Sequence, residues 1–191
     1  EYNINYLNNI GLKIYNIYGM SETTGITSIS LPTMNKYGSV GIPVMSVKIN
    51  DDGEILVKGN NLFSGYTNKI SSTNIKKSWF HTGDLGMIDK DGYLYIVGRK
   101  QDLIGDIMPQ NVEDKLKETL EKYFEYIIFK KNNVILYNTE KLPDNIDSII
   151  NSSMKKISQY KIKKWKIVTK KFKVGNELTP SYKLRRFILK N

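Results

Sequence analysis

No cysteine occurs in the 191 residues of this chain. Disulfides, thiolate metal sites and cysteine nucleophiles are thereby excluded. Histidine occurs once, at His81. One histidine without cysteines cannot build a zinc site of the usual kind, so His81 is read as structural. No stretch approaches the roughly 18 consecutive apolar residues of a membrane-spanning helix, and no secretory leader pattern opens the chain. A glycine-rich phosphate loop of the GxxxxGKS/T kind is missing, and no nucleophile–histidine–carboxylate order emerges. Acidic residues are scarce at one end: residues 151–191 hold 13 Lys and Arg against Glu177 alone. That segment carries +12, and because the whole chain carries +10 the first 150 residues carry −2. A basic tail can attract nucleic acid, a membrane surface or a phosphorylated ligand, or it can be a solvated face. The absence of an arginine cluster and of an aromatic stacking module argues against nucleic acid. The first residue is Glu1 rather than methionine, so the start is expected to be processed, truncated or part of a longer chain.

What is present suffices for one ordinary domain or two small ones. Hydrophobic residues make up 40% and charged residues 25%, so a packed core is available. Residues 12–18 form a short apolar run before Gly19. Residues 37–99 read as β-rich: Val44 to Ile49 is a strand, Asp51-Asp52-Gly53 a turn and Glu54 to Lys58 the next strand. Asp91-Gly92 is a second turn before Tyr93 to Val97. Such short strands fit a small barrel or curled sheet. After Arg99 the pattern changes. Val112, Leu116, Leu120 and Phe124 recur every four residues and predict a helix, with Asn111 as its cap and Glu113 and Asp114 in its first turn. Tyr126 to Phe129 and Val134 to Tyr137 predict a hairpin closed by residues 130–133. Pro143 and Asp144 open a second helix whose stripe is Ile146, Ile149, Ile150, Met154 and Ile157. Trp165 to Thr169 is a further strand. This second half reads as a small α/β or α+β unit.

Three clusters carry polar chemistry. Tyr18-Gly19-Met20-Ser21-Glu22-Thr23-Thr24-Gly25 crowds hydroxyls and a carboxylate into a glycine-bounded turn. Glu22 can hold a hard cation, and Ser21, Thr23 and Thr24 can donate to a phosphate, although a capped turn explains the same residues. Asp84, between Gly83 and Gly86, can accept from a pair of ribose hydroxyls. Arg99 follows a strand and suits a ribose or phosphate as well as bare solvent. Lys183, after the Thr179-Pro180 turn, can reach developing negative charge or can belong to a basic surface.

Taken in order, these segments resemble the motifs of the adenylate-forming (AMP-binding) superfamily of acyl-CoA synthetases, luciferases and nonribosomal adenylation domains. Tyr18 to Gly25 resembles its aromatic-Gly-Met-Ser/Thr-Glu-Thr motif, and Gly38 to Pro43 the next turn. Asp52 to Ile55 and Gly65-Tyr66 resemble the strands that follow. Trp79 to Gly86 resembles its Thr-Gly-Asp motif, Gly98 to Ile104 its hinge, and Asn176 to Arg186 the lysine motif of the long-chain branch. Ile157 to Val168 is similar to the bubblegum-type subgroup.

The resemblance implies a two-part fold. Residues 1–98 would be the β-rich end of the large domain, 99–101 the hinge and 102–191 a small mobile α/β lid. It implies ATP-dependent activation of a long-chain fatty acid through an acyl adenylate, then transfer to coenzyme A. Glu22 would hold Mg²⁺, Ser21 would sit beside the α-phosphate, and Tyr18 would line the adenine site. Asp84 would hold the ribose with Arg99 assisting. Lys183 would contact the carboxylate and α-phosphate, and Gln101 would be the pivot. An intracellular location is implied, cytoplasmic or peripheral on a membrane such as the endoplasmic reticulum, with no nucleic-acid partner. The chain departs from the family at Gln101, where Asp or Lys is usual, and in a short loop Gly105 to Met108. The family's upstream phosphate loop and most of its acyl pocket are expected to lie outside the chain. An inert remnant, a regulatory module of the same fold or another adenylating enzyme are the rival readings.

Overall fold

Short strands joined by glycine turns build the first part of the chain, as its alternation predicts. The computed structural model describes residues 7, 9–66, 78–186 and 188–190. By its contacts the chain divides into two compact units, Glu1–Gln101 and Asp102–Asn191.

In the first unit β1 (Ile17–Tyr18), β2 (Ser28–Ile29) and β3 (Ile42–Pro43) form a small antiparallel sheet. A four-stranded meander follows: β4 (Ser46–Ile49), β5 (Glu54–Lys58), β6 (Phe80–Ile88) and β7 (Leu94–Arg99). β4 starts two residues later than the apolar run at Val44, and residues 12–16 are not in a strand. Ile55, Val57, Leu62 and Leu94 are its buried core, with Val47, Phe80 and Ile96 packed around them. A bulge interrupts β6 between Leu85 and Gly86. Only glycine fits there, because a Cβ at Gly86 would lie 2.4 Å from the Tyr95 carbonyl oxygen.

The second unit opens with α1 (Pro109–Leu120), followed by the hairpin β8 (Tyr126–Lys130) and β9 (Asn133–Asn138). Lys131 and Asn132 make the hairpin turn with φ of 46° and 65°, the left-handed pair that matches strand twist. Helix α2 (Ile146–Lys156) then crosses over to β10 (Lys164–Thr169), which pairs parallel to β9. Both helices bury their stripes on one sheet face: Val112, Leu116 and Leu120 from α1, Ile146 and Ile150 from α2. Phe172, Leu178, Ile128 and Tyr137 fill the opposite face. Two local expectations are corrected. Met108, not Asn111, is the cap residue of α1, because Pro109 takes the first helical position where its missing N–H costs nothing, and Glu113 and Asp114 accordingly lie beyond the first turn. Helix α2 begins at Ile146 rather than at Pro143. No helix among the described residues is long and apolar enough to cross a membrane. A β-rich sheet unit followed by a small helix-bearing unit is the fold class the sequence predicts.

One ion pair gives the second unit a dependence on acid. Lys170 Nζ lies 2.5 Å from Glu177 Oε1, and the Lys173 N–H donates to Oε2 at 3.1 Å. These contacts, Lys170 first, hold the Glu177 carboxyl at about 2. Its stabilisation is therefore full above the unfolded glutamate pKa of about 4.3 and is lost as pH falls toward 2. Thermal midpoints measured down this range should fall more steeply for the parent than for Glu177→Gln. Parallel curves would remove the pair from the acid response.

Candidate functional site

Strands β6 and β7 place Asp84 directly opposite Arg99. Asp84 is 5% exposed, and both of its oxygens are held. Arg99 Nε lies 2.9 Å from Oδ1, and the Tyr18 hydroxyl donates to Oδ2 at 2.6 Å. The Thr82 hydroxyl donates to the Ile55 carbonyl at 2.8 Å and accepts the Asp84 N–H at 3.1 Å. Arg99 Nη1 closes the ring by donating to the Thr82 carbonyl at 3.2 Å. Burial, then the bond to Asp84, pushes the Tyr18 phenol up, so it stays a donor at neutral pH. A carboxylate oxygen has two acceptor directions. Each Asp84 oxygen thus keeps one for a neighbouring hydroxyl, which suits a vicinal diol. Three residues of the sequence reading, Tyr18, Asp84 and Arg99, are brought together in this way.

A second carboxylate, to which the sequence reading gave no role, lies at the base of this group. Glu54 is 4% exposed. Its Oε1 accepts the Gly83 N–H at 3.0 Å, and its Oε2 accepts from Lys100 Nζ at 2.9 Å and faces His81 Nδ1 at 3.0 Å. Burial alone would raise its pKa, but the contacts to His81, Lys100 and Gly83 outweigh it and hold the carboxyl down. Lys100 also reaches Asp52 at 2.5 Å. Glu54 therefore fixes the backbone before Asp84 and the lysine after Arg99. A cleft of about 440 Å³ lies between these groups and Gln101. The signal in the sequence was a carboxylate placed after the Asp51-Asp52-Gly53 turn, heading the apolar run Ile55 to Val57. His81 is a partner of Glu54, consistent with a structural role.

The loop after Tyr18 turns sharply, because a Cβ at Gly19 would overlap the Gly25 carbonyl. Ser21 to Thr23 form one 3-10 turn, and Thr24 ends it in the left-handed region at φ 51°. Thr23 is fully buried, and its hydroxyl bonds to Met20 N and O at 3.1 and 3.0 Å. Thr24 donates to the Asn61 carbonyl. Both threonine hydroxyls therefore bond to the chain's own backbone, the capped-turn arrangement that the same residues also suggested. Ser21 is exposed. Glu22 Oε1 accepts from the Tyr66 hydroxyl at 2.5 Å, and that bond, with a backbone bond, lowers its pKa. No cluster of three metal-ligating side chains exists among the described residues. A cation at Glu22 would need most of its ligands from a bound molecule and water, which is the habit of magnesium on phosphates.

In the second unit the Thr179 N–H donates to the Lys183 carbonyl at 2.8 Å, and the Lys183 N–H donates to Thr179 Oγ1 at 3.0 Å. Tyr182 between them sits at φ 59°. This closed turn presents Lys183 to solvent, and its ammonium has no ion pair among the described residues. Its neighbours are committed elsewhere: Arg185 Nη1 donates to the Gly175 carbonyl at 2.5 Å, and Arg186 pairs with buried Glu113.

The family profile described as AMP-binding enzyme matches residues 4–67. The long-chain-fatty-acid–CoA ligase FadD15 of Mycobacterium bovis is 45% identical over 116 residues, covering 56% of this chain and 19% of that protein. The 2-succinylbenzoate–CoA ligase of Bacillus cereus is 37% identical over 125 residues, covering 56% of this chain and 26% of that protein. Among solved structures, the O-succinylbenzoate coenzyme A synthetase of Bacillus subtilis in complex with AMP superposes with a TM-score of 0.75 at 28% identity, over 98% of this chain and 43% of that one. The same synthetase in complex with ATP and magnesium ion gives 0.73 at 25% identity, over 98% of this chain and 43% of that chain. The match thus spans a fifth to a quarter of the curated relatives.

Proposed function

We propose that this chain, which belongs to the AMP-binding, adenylate-forming ligase superfamily, forms the ribose-clasping and lid portions of an ATP-dependent acyl-CoA ligase. The observation that carries this reading is the Tyr18–Asp84–Arg99 group, a nearly buried carboxylate with one acceptor direction left on each oxygen. ATP is the nucleotide, coenzyme A the acceptor and a carboxylic acid the substrate. Asp84 accepts the ribose hydroxyls, Arg99 holds that carboxylate in place, and Tyr18 borders the adenine. Ser21 donates toward the α-phosphate. Glu22 would hold Mg²⁺, which neutralises phosphate charge when bound.

The first step joins a carboxylate oxygen to the α-phosphorus, and pyrophosphate leaves with the electrons of the broken P–O bond. Lys183 meets the negative charge that builds between carboxylate and α-phosphate. In the second step the thiolate of coenzyme A attacks the acyl carbon and AMP leaves. The two steps need different groups in the same place, and a turn of residues 102–191 about Gln101 meets both needs. The 45% identity to a long-chain ligase favours a long-chain fatty acid. The 2-succinylbenzoate ligases and synthetases favour an aromatic acid as the second reading.

ATP–pyrophosphate exchange by the protein that carries this chain, with palmitate and with 2-succinylbenzoate, separates these readings, and exchange with neither leaves the inert-module reading. Asp84→Asn keeps the shape but removes the negative charge that Arg99 pairs with and weakens the acceptors, so ATP affinity measured by calorimetry should fall about tenfold or more. Unchanged affinity would take the ribose away from Asp84.

A further inference from the structure

We propose that a lysine belt on the second unit is a docking surface for an anionic lipid bilayer. Three shallow grooves adjoin one another on residues 130–166. The first, of about 360 Å³, runs between the β8–β9 turn and β10 and is bordered by Lys130, Lys131, Lys164 and Lys166. The second, of about 380 Å³, shares Lys164 and Trp165 with it and adds Lys163. The third, of about 500 Å³, shares Asn151, Met154 and Ile162 with the second and adds Lys155 and Lys161 at the end of α2. No acidic residue lines any of the three, and none of these lysines forms an ion pair with a described residue. Between the ammonium groups lie half-buried Met154, Ile162 and Trp165.

The pattern of the charge selects the occupant. Lysines spread over three grooves, instead of converging on one, fit an extended anionic surface better than a single soluble phosphate. The apolar side chains among them, Met154, Ile162 and Trp165, pack on the core, so recognition falls to the exposed ammonium groups. The grooves contain no arginine, and the Trp165 ring packs on the core with its N–H given to Asn151 Oδ1 at 3.0 Å. They therefore lack the stacking platform and forked donors of a nucleic-acid groove. Lys164 and Lys166 also guard the free edge of β10 against strand pairing. That duty does not account for Lys131, Lys155, Lys161 or Lys163, which lie outside the strand.

The test is co-sedimentation of the full chain with phosphatidylcholine vesicles that contain or lack phosphatidylserine. Binding is expected only with phosphatidylserine and should decline as salt rises. Changing Lys131, Lys161, Lys163 and Lys164 together to Gln should weaken it by up to about fivefold per lysine, at roughly 1 kcal/mol each. The same change at exposed Lys13, Lys58, Lys90 and Lys171 removes equal charge elsewhere and should matter much less. All eight positions are exposed, so both variants should keep the parent's thermal midpoint. Equal losses in the two variants, absence of binding by the parent, binding that ignores salt, or retention on duplex DNA or coenzyme A without retention on vesicles would each overturn the proposal.

Discussion

Lys183→Ala is expected to slow acyl-adenylate formation by about 10²–10³ in the protein that carries this chain, by analogy with the loss of other electrostatic stabilisers. Thioester formation from supplied acyl adenylate and coenzyme A should fall far less. Adenylation builds charge where a compact ammonium can meet it, whereas the thiolate step starts from an acyl group already activated. The adjacent arginines cannot stand in. Arg185 spans to the Gly175 and Asn176 carbonyls, and Arg186 is tied to Glu113 and Gln110. The turn from Thr179 to Lys183 is closed by the Thr179 N–H on the Lys183 carbonyl and by the Lys183 N–H on Thr179 Oγ1, neither of which uses the lysine side chain, so the substitution removes a charge without undoing the loop that carried it. Measuring the two half-reactions separately on one variant decides the matter. Equal losses would indicate a general binding or folding role, and undiminished adenylation would take Lys183 out of the mechanism.

Much of the scaffold was legible because its signals are local. Glu54 to Lys58 follows a glycine turn and forms the strand read from it. The four-residue spacing of Val112, Leu116, Leu120 and Phe124 marks side chains that are all buried. Strand β6 was legible only as a motif: Gly83, Asp84 and Gly86 break the apolar alternation that would have announced a nine-residue strand. The site shows the same division. A resemblance could name Tyr18, Asp84 and Arg99 one by one, but the 2.6 Å bond between Tyr18 and Asp84 joins positions 66 residues apart, which no local pattern encodes. Glu54 was missed because a carboxylate after a turn looks like a solvent-facing residue until Lys100 and Gly83 are folded against it.

Glu113 is the sharpest instance of that blindness, and it sets the largest expected effect on stability. In sequence it is a first-turn acid suited to the helix dipole. In the fold its side chain is 2% exposed and lies against Arg186, 73 positions away, in a two-pronged pair with Nη1 at 2.8 Å and Nη2 at 2.5 Å. Its Oε1 also accepts the Phe129 N–H at 2.9 Å, so one carboxylate joins α1, β8 and the segment that presents Lys183. Arg186→Met strips the cation from a buried anion and should cost about 3–5 kcal/mol, read as a lower urea midpoint. Arg186→Lys keeps the charge but not the fork, and should recover part of it. The double change Glu113→Leu with Arg186→Met removes both charges. It should be less damaging than Arg186→Met alone, although it leaves the Phe129 N–H without an acceptor, a cost of about 1–3 kcal/mol. That order distinguishes a buried pair from a surface one, for which all three variants would fall within about 0.5 kcal/mol of the parent. It also separates the two ends of the motif. Losing Lys183 should spare stability and strike one half-reaction, whereas losing Arg186 should lower stability first and weaken both half-reactions together, because the turn carrying Lys183 would no longer be anchored to α1.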